Sequence, residues 1–114
     1  MDLNLTDKIA IVTGGSAGIG RGIVERLVKE GAKAAIFDIN IDLAKKAAAE
    51  IDGGTIAVKV DVTKKAEVDA AIETVLNRFG KIDILVNNAA LSWPQMFVDM
   101  EEKDWDLMCN VNLK

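Results

Sequence analysis

The stretch Ile9-Ala10-Ile11-Val12-Thr13-Gly14-Gly15-Ser16-Ala17-Gly18-Ile19-Gly20 decides the fold, because an apolar run passes directly into a glycine-rich turn. Residues 9–12 are continuously apolar and rich in Ile and Val, as in a strand covered on both faces of a parallel sheet. Beyond the turn, Ile19, Ile23, Val24, Leu27 and Val28 recur at helical spacing and stop at Gly31. Strand, turn and helix in that order open an α/β sheet, whose ligands bind beyond the carboxyl ends of the strands. Small residues there let the backbone approach an anion, and the helix start presents unpaired N–H groups. Gly14, Gly18 and Gly20 follow G-x-x-x-G-x-G, and no Gly-Lys-Ser/Thr is present, so a Walker-type loop is excluded. A tight turn with no ligand also fits this stretch taken alone.

The same alternation continues outward. Residues 34–37, 56–60 and 82–86 are apolar runs and predict three more strands. Leu43, Ala44, Ala47, Ala48 and Ile51 predict a second helix, and Val68, Ala71, Ile72, Val75, Leu76 and Phe79 predict a third. A fourth is predicted from Asp99, spaced from Glu102 as in a capping box, through Trp105, Met108 and Val111 to Lys114. Gly22 is expected to let the first helix pack closely on the sheet, with no ligand contact. Strict β-α alternation gives the doubly wound α/β class, a parallel sheet with right-handed crossovers, in one domain over residues 1–114.

Composition narrows the chemistry. The 114 residues are half hydrophobic, with one Cys, no His and no Tyr. Serine–histidine and cysteine–histidine nucleophiles are excluded, as is a zinc-ligand set. A chain of this length buries roughly 65% of its unfolded surface, enough for one core. The net charge of −4 argues against a nucleic-acid surface. A single Cys forms no internal disulfide, so a reducing cytoplasm is expected, and neither a leader nor a membrane span is read.

Asp38 follows the second strand, 18 positions after Gly20, near the ~20 expected of an acidic residue that holds an adenosine ribose. A carboxylate there repels a 2′-phosphate, and neither Ala17 nor Ile39 is basic, so NAD is favoured over NADP. Asp38 also fits a helix cap, although Asn40 is equally placed for that. Asp61-Val62 follows the third strand, and Asn87-Asn88-Ala89-Ala90 the fourth. Asp61 also fits a turn before a helix capped by Thr63, and the Asn pair also fits a plain turn.

Taken together, the turn at 13–20, Asp38, Asp61-Val62 and Asn87-Asn88-Ala89-Ala90 resemble the short-chain dehydrogenase/reductase family over the whole chain. The resemblance implies a Rossmann-type sheet of strand order 3-2-1-4 and NAD as cofactor. It implies a cofactor-binding set of Gly14, Ser16, Gly18, Ile19, Gly20, Asp38, Ile39, Asp61, Val62, Asn88, Ala89, Ala90 and Val111. Within that set Asp61 meets the adenine amino group, Val62 and Val111 line the ring, and Asn88 and Ala89 lie beside the ribose. The Asn pair is further implied to tie the fourth strand to the Thr13 turn. The family pattern at that place is Asn-Asn-Ala-Gly, and this chain has Ala90. Asn112 matches the catalytic Asn that holds a proton-relay water.

The family's catalytic Ser, Tyr and Lys have no counterpart. No Tyr occurs in the sequence, Ser16 and Ser92 lie elsewhere in the pattern, and Lys114 is not part of Tyr-x-x-x-Lys. The chain is therefore expected to be the cofactor-binding half of an oxidoreductase, inactive alone, whose whole protein moves hydride between nicotinamide and a secondary alcohol or ketone. A terminus after Lys114, inside a predicted helix, suggests a fragment. The fourth strand is expected to be a bare apolar edge through which the chain pairs or oligomerises. A non-catalytic nucleotide-binding or interaction module is the alternative; a methyltransferase site fits the loop spacing and the Asn pair less well. Trp93, Met96 and Phe97 belong to a loop near the pocket or to packing.

Overall fold

A computed structural model of the chain describes residues 5–88 and, for the backbone, 110–112. Within them run β1 (Ile9–Thr13), α1 (Gly18–Lys29), β2 (Lys33–Asp38), α2 (Ile41–Ile51), β3 (Ile56–Lys59), α3 (Lys65–Phe79), β4 (Ile84–Asn87) and β5 (Asn110–Asn112). The strands form one sheet of order β3-β2-β1-β4-β5, and every neighbouring pair is parallel. This is the doubly wound Rossmann-type arrangement expected from the alternating pattern.

Side-chain alternation along the strands builds two cores. Ile9, Ile11, Ala35, Phe37 and Leu85 face α3, where Val68, Ala71, Ile72 and Val75 are buried against them. Val12, Ala34, Ile36 and Val86 face the other way, onto Val24 of α1 and Ala44, Ala47 and Ala48 of α2. The helical spacings seen in the sequence are thus the contact stripes of three helices, except at Ile19 and Leu43, which are exposed. The small alanines of α2 let that helix lie close to the sheet. Gly22, by contrast, makes no close approach: a Cβ there would meet open space.

Two expectations are corrected at β4. Residues 82–86 were expected as the strand, whereas β4 starts at Ile84, because Ile9 N–H bonds the Asp83 carboxylate (2.8 Å) and no ladder partner there. The edge beyond is not bare. Leu85, Val86 and Asn87 lie in register with Asn110, Val111 and Asn112, so these three residues are strand and not the end of a helix. Exposed backbone groups on an apolar edge strand demand partners. Asn and Val are indifferent helix formers, so pairing outweighs the helical spacing at Val111. The remainder of the predicted fourth helix, with Asp99, Glu102, Trp105 and Met108, lies outside the described residues, as do Trp93, Met96 and Phe97.

Candidate functional site

The turn after β1 is held by three neighbours. Gly14 N–H donates to the Phe37 carbonyl of β2 (2.8 Å), with Gly14 at φ 64°. Asn88 Nδ2 donates to the Gly14 carbonyl (3.3 Å). Gly20, in the first turn of α1, faces both: a Cβ there would strike the Gly14 carbonyl and lie 2.6 Å from Asn88 Nδ2. The sequence therefore needs glycine at 14 for conformation and at 20 for space.

α1 starts at Gly18 in a way that leaves its anion affinity unspent. Its N-cap, Ala17, makes no side-chain cap bond, and its first turn holds no acidic residue. The first N–H groups of a helix lack intrahelical acceptors and carry the positive end of the dipole. Beside them Ser16 is 2% exposed, and its Oγ has no hydrogen-bond partner among the described residues. Ile19 projects outward at 65% exposure. A buried hydroxyl without a partner beside an uncapped helix start fits an anion held at this turn.

Asp38 closes β2, half-buried, and its Oδ1 accepts the Asn40 N–H (3.0 Å). Asn40 is the residue that caps α2, its Oδ1 accepting from Leu43 N–H (3.1 Å). The cap reading of Asp38 thereby falls away. The carboxylate sits at the carboxyl end of the strand adjoining the glycine turn, with exposed Ile39 next to it.

Asp61 follows β3, where Val60 N–H donates to the Asp38 carbonyl (3.1 Å). Thr63 does not cap α3: the N-cap is Lys64, without a side-chain bond. Thr63 turns back instead, donating from Oγ1 (2.6 Å) and N–H (3.0 Å) to Asp61 Oδ1. The Thr63 hydroxyl, then its N–H, hold the Asp61 carboxyl below the ordinary aspartate range; partial burial opposes them and Lys64 assists. Val62 packs half-buried against the α3-side core.

At the end of β4, Thr13 Oγ1 accepts the Asn88 N–H (2.9 Å) and donates to buried Asn87 Oδ1 (3.4 Å). The Asn pair thus ties β4 to the Thr13 turn. Register places Asn112 beside Asn87 at this same end of the sheet, and Val111 beside Val86. Ala89 and Ala90 lie outside the described residues. Gly14, Ser16, Gly18, Ile19, Gly20, Asp38, Ile39, Asp61, Val62 and Asn88 all fall at the carboxyl ends of β1 to β4, in the turns leaving them or in the first turn of α1.

Two residues escaped the sequence reading. Thr13 belongs to the turn by sequence, yet its hydroxyl joins the ends of two strands. Thr63 fits a helix cap by sequence; the Asp-x-Thr spacing, which favours local side-chain turns, is the signal for its actual role. A cavity of about 350 Å³ lined by Asp7, Ile9, Lys33, Arg78, Phe79 and Lys81 lies at the other end of the sheet and takes no part in this site.

An uncapped glycine turn at the carboxyl end of a doubly wound sheet, flanked by carboxylates after β2 and β3, defines a nucleotide-binding α/β domain. The family model described as short chain dehydrogenase matches residues 8–114, and the chain belongs to that family. It is 41% identical over 111 residues to sorbitol dehydrogenase of Cereibacter sphaeroides, covering 97% of this chain and 43% of that protein. It is 36% identical over 113 residues to NAD-dependent glycerol dehydrogenase of Listeria innocua, covering 99% and 44%. Among solved structures, 3-ketoacyl-(acyl-carrier-protein) reductase from Brucella melitensis complexed with NADH matches with TM-score 0.70 and 40% identity, over 83% of this chain and 43% of that one. The chain thus spans less than half the length of these relatives. No helix among the described residues is long and apolar enough to cross a membrane.

Proposed function

We propose that this chain is the NAD-binding part of a dehydrogenase that moves hydride between nicotinamide and a secondary alcohol or ketone. The observation that carries NAD is Asp38. Its carboxylate is freed from capping by Asn40, stands beside the glycine turn, and has no basic neighbour at Ala17 or Ile39 to receive a 2′-phosphate. Relatives named for sorbitol and for NAD-dependent glycerol oxidation, and a reductase solved with NADH, support the substrate class and the cofactor. They lend no support to a non-catalytic module.

In this reading the N–H groups at the start of α1 and the Ser16 hydroxyl hold the pyrophosphate, with Gly14, Gly18 and Gly20 keeping the approach clear and Ile19 beside it. Asp38 accepts from the ribose hydroxyls, and Ile39 lies against the adenosine. Asp61 accepts from the adenine amino group, Val62 and Val111 line the ring, and Asn88, Ala89 and Ala90 border the ribose. Asn112 holds a water on the proton path. NAD, when bound, supplies the hydride acceptor and its reduced form the donor. A general acid/base tuned toward working pH is also needed, and the 114 residues include no Tyr, so this chain alone is proposed to bind without turnover. A cytoplasmic location and homo-oligomeric assembly of the whole enzyme belong to the same proposal.

Fluorescence titration of the chain with NADH and NADPH tests it. NADH binds at least tenfold more tightly, and Asp38→Ala narrows that gap. Equal affinity in the wild type would remove Asp38 from the role.

A further inference from the structure

We propose that Thr63 is a positioning residue for the nucleotide: it fixes the Asp61 carboxylate so that the second oxygen selects a base carrying an exocyclic amino group. The proposal rests on the assignment of Asp61 to adenine given under Proposed function.

The turn between β3 and α3 is clamped from both sides. Thr63 places its hydroxyl and its N–H on the same oxygen, Asp61 Oδ1 (2.6 and 3.0 Å). The Asp61 N–H is held in turn by Glu67 Oε1 (3.0 Å), from the first turn of α3. Backbone and carboxylate are both oriented before any ligand arrives. Oδ2 makes no hydrogen bond among the described residues, so one acceptor is left over.

An ionised carboxylate accepts hydrogen bonds and cannot donate them, so its partner must be a donor. The amino group of adenine meets that demand; the carbonyl oxygen of hypoxanthine at the same ring position does not. Two donors on Oδ1 favour the ionised form, and Lys64 adds to them against partial burial. The other charged groups around the turn are Lys65, paired with Asp69 (2.8 Å), Glu67 of α3, and Asp38 and Lys59, which lie in register across β2 and β3. A pre-oriented acceptor loses little on binding, whereas a freely rotating one must be ordered by the ligand. Thr63 thereby converts a solvent-facing aspartate into a base-reading group.

The test titrates the 114-residue chain with NADH and with its hypoxanthine counterpart. The wild type prefers NADH by roughly tenfold, the worth of one charge-assisted hydrogen bond. Thr63→Val keeps the side-chain shape but lowers that preference to under about threefold by weakening NADH, and Thr63→Ser restores it. In the ligand-free chain, carboxyl NMR shows Asp61 titrating at higher pH in Thr63→Val and returning in Thr63→Ser. Wild-type preference in Thr63→Val, or an unmoved Asp61 titration, overturns the role of Thr63. If Asp61→Ala leaves the base preference unchanged, or the wild type shows no preference, the assignment of Asp61 to adenine fails, and the proposal with it.

Discussion

The seam between β1 and β4 is closed differently at its two ends. At the amino end Asp83 is fully buried, takes the Ile9 N–H on Oδ2 (2.8 Å), gives its own N–H to the Ile9 carbonyl (2.9 Å) and pairs with Lys81 (3.1 Å). At the carboxyl end the bonds are neutral, from Thr13 to Asn87 and from Asn88 to Thr13 and Gly14. The amino end spends a charge on holding the sheet. The carboxyl end holds it with uncharged groups and leaves the α1 start without a side-chain cap and the Ser16 hydroxyl without a partner among the described residues. With the function proposed above, stability and binding are lodged at opposite ends of the same two strands.

Breaking the amino end should have the largest effect. Asp83→Ala leaves the buried Ile9 N–H without its acceptor, while the partly exposed Lys81 ammonium regains water, and should cost about 2–3 kcal/mol in urea unfolding without altering the ratio of NADH to NADPH affinity. A cost below that of any carboxyl-end variant would reverse the contrast. Gly20→Ala comes next. Its methyl group meets the Gly14 carbonyl, so NADH affinity should fall by more than tenfold, with roughly 1–3 kcal/mol lost to overpacking. Thr13→Val should cost about 1 kcal/mol by leaving the Asn88 N–H without its acceptor, and unchanged stability would show that a neutral bond there contributes nothing.

The smallest effect is one of pH. The Asp61 carboxyl lies below the ordinary aspartate range in the folded chain, so its contribution to stability is present above the unfolded value and is lost as pH falls through the folded one. Thr63→Val removes the main cause. The two proteins should differ slightly in stability near neutrality and converge in strong acid; a difference that grows on acidification would contradict the sign.

Periodicity made most of this legible. Apolar runs and helical stripes in the sequence are the strands and helix faces of two cores, because burial on both sides of a parallel sheet leaves that imprint directly. The glycine spacing, Asp38 and Asp61 were readable because each sits where a strand ends. The tie between the Asn pair and the Thr13 turn was legible only through the family resemblance. The atoms that make it, and the Thr63 bonds to Asp61, appear once β1 and β4 are neighbours or the β3–α3 turn closes. The strand at Asn110–Asn112 was missed for a related reason: local spacing there favours a helix, while the demand of the β4 edge comes from a segment far away in the chain.

The Asn88 bond to Gly14 spans 74 positions. Long-range closures of this kind form late, after the loop entropy between them has been overcome. During synthesis the glycine turn is made early and can be braced by Phe37 of β2, yet it lacks its Asn88 brace until residue 88 has left the ribosome and β4 has docked. Competence to hold a nucleotide is in that sense tied to the docking of β4: a nascent chain carries the signature turn well before both of its braces are in place.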